Sequence, residues 1–550
     1  MEKTGGVKKQ SFMAGALLLG VSNILVKLIG TLYRIPMTNI LGTEGMGIYQ
    51  KAYPIYATLL VLSTSGIPTA ISKTVSEHFS QGDAAGARRV FAVALRLLAL
   101  VGGVTALLLF VFREQAARTL VEDPLAAMSI GAIAPSLFFV SVMSAFRGYF
   151  QGMQRMMPTA ASQLVEQVGK LAVGVMLALR MIPQGIEYGA AGAMIGVTVS
   201  EFAGLALLVV LFLIHMAREG RVEPGDRRAT AGAVLRRLLP IAVPVTLGGF
   251  IIPLTSLVDA KQVTPILESI GYTVEQARAM YGTLTGAVNT LVNLPGALSL
   301  ALCISLVPAV AAAKRAGNEQ RIRSQTMSAL KVTMLVGLPS GVGLAALASP
   351  IITLLYGSSM TAGEISTAAL LLQLMLPAVV AMGVVQTLNG ILQGLGKVYV
   401  PILSLSAGAV VKVILNLVLI RVPALHIYGA AIASSACYTV AAVINLIYVR
   451  RSLHIRYSFG DLLLLPGLAT LGMAAAVSVT MLLRKTGMGR HPNLLTLLAV
   501  GVGVLVYALL LPLTGGLGHD ELRMIPGGAK LERLLVRLKL MKPATGKHMR

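Results

Sequence analysis

Six basic and two acidic side chains interrupt stretches that are otherwise apolar: Lys27, Lys51, Arg96, Arg147, Lys170, Lys412, Glu166 and Glu201. An ionisable group at the middle of a membrane costs roughly 2.5–3.5 kcal/mol on the insertion scale, so each should face protein or a wet cavity. Lys51, Arg96 and Arg147 lie near the ends of their stretches and can also snorkel to the surface. Lys27, Lys170 and Lys412 lie deeper. Lys27 and Arg34 are seven residues apart, with Gly30 on the same helical stripe. Such a stripe either leads an anion outward or anchors the helix at the interface. Glu166 and Lys170 stand at i, i+4 in the favourable order and are expected to neutralise each other locally. Lys412 has Gly408 four residues before it and no local carboxylate, which suits a substrate anion site or a proton-coupled lysine. Glu201 carries a proton or pairs with a neighbouring helix. With cations ahead of carboxylates by six to two, the expected substrate is anionic. Phosphate or pyrophosphate fits ammonium and guanidinium groups in low dielectric.

The elements that must position these groups are membrane helices. The chain has 550 residues, 55% hydrophobic and only 12% charged, with a mean hydropathy of +0.79; a soluble chain carries about 25% charged residues. That excludes a soluble multi-domain enzyme, a disordered chain and a coiled coil. At ~20 apolar residues per crossing, fourteen spans are expected: 11–33, 46–70, 90–112, 128–150, 158–181, 187–216, 238–258, 281–310, 329–355, 366–392, 398–420, 428–450, 461–483 and 492–514. The run 12–32 is too long for a signal peptide and reads as the first of them. Alternate loops carry 30 and 10 Lys and Arg, so the positive-inside rule places both termini in the cytoplasm. This bias accounts for most of the net charge of +24 without nucleic acid. Arg484, Lys485 and Arg490 dissent on the expected outside. Cys303 and Cys437 form neither a CxxC nor a metal spacing.

Internal repetition organises the chain. Ala134-Pro135, Gly148-Tyr-Phe-Gln-Gly152, Pro158, Lys170 and Tyr188-Gly-Ala-Ala191 return as Leu376-Pro377, Gly390-Ile-Leu-Gln-Gly394, Pro401, Lys412 and Tyr428-Gly-Ala-Ala431. Ile35-Pro36-Met37-Thr38 returns as Ile252-Pro253-Leu254-Thr255, and Ile67-Pro68-Thr69-Ala70 has a counterpart in Val307-Pro308-Ala309-Val310. Two parallel copies follow. The expected fold is an all-α polytopic membrane protein with about fourteen transmembrane helices, in two pseudo-symmetric six-helix lobes plus two C-terminal helices. The divisions are 1–220, a basic cytoplasmic linker 221–237, 238–452, the last two helices 453–514, and a basic tail 515–550. Paired bundles of this kind suit a rocking transporter with its substrate path between them. Pro240, Pro244 and Pro253, with Gly248-Gly249, predict a kinked or broken seventh helix that can gate a cavity. No P-loop, HExxH, GxSxG or acidic metal cluster is present, so no enzyme, metal or cofactor is expected; the coupling ion, H+ or Na+, is left open.

Several blocks carry a family resemblance. Tyr281-Gly282-Thr283-Leu284-Thr285-Gly286, Leu291-Val292-Asn293-Leu294-Pro295 and Ser305-Leu306-Val307-Pro308-Ala309 resemble the stage V sporulation protein B / YtgP group. So do Lys27-Leu28-Ile29-Gly30 with Tyr33-Arg34, and Gly148 to Gly152. The group lies in the polysaccharide-exporter branch of the MOP transporter superfamily, which includes MurJ-type lipid II flippases. The resemblance implies a fourteen-helix flippase of the bacterial cytoplasmic membrane. It would move an undecaprenyl-pyrophosphate-linked peptidoglycan precursor outward by alternating access, as a monomer among membrane lipids. The MurJ type uses cavity arginines on its first two helices. Lys27 and Arg34 roughly match the first-helix positions, whereas Ile55-Tyr-Ala-Thr-Leu-Leu-Val61 has no arginine, leaving Lys170 or Lys412 to substitute. The competing readings are a flippase for another polyprenyl-linked glycan, a MATE-like drug exporter, and a membrane scaffold recruiting cell-wall synthesis enzymes.

Overall fold

The computed structural model describes residues 12–64, 66–219, 231–455, 457–458, 460–483, 491–516, 532–533 and 536–537. The dissenting loop 484–490 and nearly all of the basic tail lie outside the described residues, as does the first part of the basic linker. Among the described residues the regular structure is all helical, and twelve helices are long and apolar enough to cross a membrane. The expected spans 11–33 and 46–70 share one continuous stretch. The span 158–181 is helical but built of three pieces, so it is not among the twelve.

Two compact units divide the chain, Met1–Gly282 and Thr283–Arg550. In the first, the helices are α1 (Phe12–Thr64), α2 (Ile67–Ser80), α3 (Ala84–Val111), α4 (Arg113–Leu120) and α5 (Ala126–Gly152). They continue with α6 (Met157–Gly169), α7 (Val175–Met181), α8 (Ile186–Glu219), α9 (Ala231–Ser269) and α10 (Val274–Gly282). The second has α11 (Asn289–Arg315), α12 (Glu319–Ala346), α13 (Ala348–Tyr356), α14 (Ala362–Leu374) and α15 (Leu376–Gly394). After these come α16 (Tyr399–Leu419), α17 (Ile427–Leu453), α18 (Leu465–Leu482) and α19 (Pro492–Leu513). A π-helical turn, Lys170–Gly174, joins α6 to α7.

Several local expectations change. The turn expected at 34–45 is helical except at Gly42, whose φ of 68° and ψ of −177° break α1 in two; that region is close to glycine-only. α9 runs unbroken for 39 residues through Pro240, Pro244 and Pro253, so the seventh helix is not broken. Membrane helices tolerate proline where neighbouring groups satisfy the freed backbone. α9 also absorbs the end of the basic linker, 231–237, and residues 259–269, half of the outer loop expected at 259–280. Its packing, with that of α10, is against α1 and α2, so the boundary between compact units falls after α10 rather than before α9. Gly66 permits this: a Cβ there would lie 1.9 Å from the Ala242 carbonyl oxygen.

Each unit has its own apolar core. In the first, Phe91, Phe146, Tyr149 and Phe212 pack tilted or edge to face at ring separations of 4.8–5.7 Å. In the second, Leu306, Val310, Leu388, Ile391 and Val449 form the centre. Leu100, Leu107, Leu213, Leu403, Leu471 and Leu505 are instead more than half exposed, as a lipid-facing surface requires. Without a hydrophobic drive between helices, close packing at small residues holds them together. The repeated glycines do this in both units. A Cβ on Gly152 would lie 2.7 Å from Val75 Cβ and 2.8 Å from the Ser72 carbonyl; one on Gly394 would lie 2.8 Å from Val310 Cβ and 2.9 Å from the Val307 carbonyl. Val307–Val310 therefore answers to 72–75, not to Ile67–Ala70 as the proline match suggested. Gly152→Val is expected to lower the apparent melting temperature in detergent, by the equivalent of about 1–3 kcal/mol of overpacking. Gly501→Val, where nothing lies within 4 Å, should leave it unchanged.

Candidate functional site

Four of the charged residues singled out in the sequence meet inside the first unit. Arg147 on α5 hydrogen-bonds the Glu166 carboxylate on α6, and its Nε and Nη2 donate to Ser162 Oγ at 3.2 and 3.0 Å. Lys170 Nζ lies 3.1 Å from Glu201 Oε1 on α8. The same oxygen accepts from Tyr56 Oη on α1 at 3.0 Å. The local Glu166–Lys170 pair expected from i, i+4 spacing is thus replaced by two pairs between helices. The backbones allow it through glycine: a Cβ on Gly169 would lie 2.7 Å from Ser200 Cβ, and one on Gly196 would lie 2.2 Å from Gly174 Cα. With those contacts α6 and its π-turn press onto α8, bringing Lys170 to Glu201.

A second cluster was not foreseen. Asp123, in the turn after α4, receives a two-pronged bond from Arg278 on α10: Nε to Oδ2 at 2.7 Å and Nη2 to Oδ1 at 2.8 Å. Lys51 Nζ lies 3.2 Å from Oδ2, with both side chains only 1% exposed. Glu44 stands 3.6 Å from Arg278 Nη1. Lys51 is therefore a buried partner rather than a snorkelling side chain. Nothing in the sequence linked Asp123 to Arg278, 155 positions apart, because both fall in segments that read as loops. The one signal was the Tyr281–Gly286 block. A Cβ on its Gly282 would lie 1.9 Å from the Thr43 carbonyl oxygen, and one on Gly47 would lie 2.4 Å from that of Arg278; α10 and α1 cross backbone to backbone, which delivers Arg278.

The pairings revise the charge count. Three of the six cations, Lys51, Arg147 and Lys170, are neutralised by carboxylates, and Arg96 is exposed. Lys412, half-buried in the second unit, is not without a partner, so the reasoning from an unpaired ammonium does not hold there. Lys27 and Arg34 are half-buried on α1, and no carboxylate pairs with either among the described residues. Between them Gly30 faces α6, where a Cβ would come 3.0 Å from Gln167 Oε1.

The fold defined by these helices is that of a known transporter class. The solved structure "Lipid II flippase MurJ, inward closed conformation" superposes with a TM-score of 0.69 at 15% identity, over 90% of this chain and 98% of that one. Residues 12–314 match the family model "Polysaccharide biosynthesis protein", and 284–418 match the MatE model. Stage V sporulation protein B of Bacillus subtilis (strain 168) is 30% identical over 77% of this chain and 81% of its own. Lipid II flippase MurJ of the same organism is 26% identical over 81% and 84%. The chain belongs to the polysaccharide biosynthesis protein family, and with twelve helices of membrane length among its described residues it is a multi-pass membrane protein.

Asp123 ties the second cluster to pH. Burial acts to raise its carboxyl, but the Arg278 bonds and the Lys51 charge outweigh that and hold it below the ordinary carboxylate range. A depressed carboxyl stabilises the fold fully above its unfolded value, about 3.9, and loses that contribution as pH falls through the folded value. Asp123→Asn leaves two buried cations without their shared anion. It is expected to lower stability by about 3–5 kcal/mol and to flatten the acid limb of the melting temperature below about pH 4, read by thermal unfolding in detergent.

Proposed function

We propose that this protein is a flippase for a polyprenyl-pyrophosphate-linked glycan, with lipid II as its substrate, working by alternating access between the lobes 1–220 and 238–452. The observation that carries this reading is the Lys27–Arg34 stripe. It places two cations without carboxylate partners among the described residues on one face of a membrane helix, in a chain of the polysaccharide biosynthesis family. Phosphate oxygens are the ligands such groups bind best in low dielectric. The two relatives support the substrate class, one being named a lipid II flippase. Lys170 and Arg147 join the site only when released from Glu201 and Glu166, and Lys412 contributes from the second lobe. The protein sits in the bacterial cytoplasmic membrane with both termini in the cytoplasm, a reading its Lys and Arg distribution supports. Cell-wall synthesis enzymes are its proposed partners.

The MatE match at 284–418 favours one competing reading, export of a free drug. The two part on charge, because an exporter of cationic compounds needs carboxylates open to the cavity, and Glu166 and Glu201 are already engaged. In proteoliposomes carrying lipid II, the wild-type protein is expected to move it to the opposite leaflet. Lys27→Ala or Arg34→Ala should slow this about tenfold, the loss of one charge-assisted contact. Both variants flipping at the wild-type rate, or the wild type raising drug resistance without moving lipid II, would reverse the assignment.

A further inference from the structure

The two oxygens of Glu201 have unequal surroundings. Oε1 is held by both Lys170 and Tyr56, whereas Oε2 is buried with no hydrogen-bond partner among the described residues. An ionised carboxylate offers about four acceptor positions, and in the interior an unfilled one is costly. The pair is also open on one side only: the Lys170 side chain is 18% exposed and that of Glu201 only 3%. The groups facing Glu201 from its neighbours are few. Tyr56 comes from α1, and Glu166 and Lys170 come from α6 and its π-turn. Arg147 on α5 is committed to Glu166 and Ser162, and Arg180 on α7 is exposed.

We infer that Glu201 is a proton-operated release for Lys170: a proton taken up on Oε2 frees the ammonium to bind the phosphate of an anionic lipid, so proton uptake and substrate binding occur together. The balance is simple. The carboxylate becomes a carboxylic acid, Lys170 keeps its three ammonium protons, and the four-residue cluster passes from neutral to a single positive charge. The phosphate charge then restores neutrality. Either step alone is unfavourable. The proton alone leaves an uncompensated ammonium in low dielectric, and the anion alone meets the Glu201 charge. Arg147–Glu166, braced by Ser162, need not open. A π-turn beginning at Lys170 fits this use, since such turns interrupt regular helix packing at functional positions.

The inference rests on the anionic-substrate reading, and one experiment separates the two. The full-length protein in detergent is titrated with undecaprenyl-pyrophosphoryl-N-acetylglucosamine, whose diester phosphates stay ionised between pH 5.5 and 8, and with uncharged undecaprenol. Wild type is expected to bind the charged lipid about tenfold tighter at pH 5.5 than at pH 8, the gain of one charge-assisted contact. Glu201→Gln should bind tightly at both pH values, Lys170→Gln weakly at both, and undecaprenol should show no pH dependence. A wild-type pH slope kept by Glu201→Gln overturns the inference while leaving the substrate reading intact. If Glu201→Gln does not elute as a single folded species, Lys170→Gln decides, and a wild-type slope in that variant also overturns it. No binding of the charged lipid by wild type at any pH removes the substrate reading and the inference with it.

Discussion

The structure depends on one constraint: charges carried into a membrane must be closed against each other by the protein. Coulomb attraction between bare charges is large in low dielectric, but desolvation is comparable, so a pair survives only with good geometry and further donors. Both clusters of the first unit meet that condition. Ser162 braces Arg147 and Tyr56 braces Glu201. Asp123 uses both of its oxygens for Arg278 and shares one of them with Lys51. Each cluster draws on helices far apart in sequence, and so fixes how those helices stand together.

Glycines make that closure reachable. Charge pairs need their atoms near 3 Å apart, so the helices that carry them must be held at close and fixed separations. Gly169, Gly174 and Gly196 remove the side chains that would hold α6 and its π-turn away from α8, and Gly47 with Gly282 does the same for α1 and α10. Substitution at these positions would separate the ionic partners before any charge was altered. Packing and electrostatics are here one requirement.

How much of this could be read in the sequence follows from what each feature depends on. Helicity depends on local hydropathy and was legible, whereas the span count of fourteen exceeds the twelve membrane-length helices among the described residues. The partners of the charged residues were not legible. Spacing proposes Glu166 with Lys170 because it sees a single helix, while the fold offers Arg147, Glu201 and Tyr56 from three others. Asp123 and Arg278 read as loop residues because the hydropathy window ends before them, although both are buried by tertiary packing. The three prolines of α9 predicted a kink or a break, and the helix runs through them without a break. Local propensity is a weak guide wherever neighbouring helices satisfy the backbone.

The duplication sharpens what the charges mean. The repeated Gly148–Gly152 and Gly390–Gly394 blocks place Asn389 where the first copy has Arg147, and the Lys170/Lys412 match places Gly408 where it has Glu166. The Tyr188/Tyr428 match brings Ala441 to the position of Glu201. In the second unit Asn445 donates an amide hydrogen bond to Asn389 at 3.2 Å. Ala441 is fully buried in the apolar core. A Cβ on Gly408 would lie 2.4 Å from the Cys437 carbonyl oxygen, leaving no room for a glutamate. The second copy thus links α15 and α17, the counterparts of α5 and α8, by an amide pair; it keeps Lys412 at the place of Lys170 and lacks both carboxylates. Since the second copy holds a bundle of this kind together without them, scaffolding alone does not require the two carboxylates of the first copy. On the reading proposed above, the carboxylates of the first copy serve a task beyond scaffolding, the exchange of a proton and an anion within the membrane.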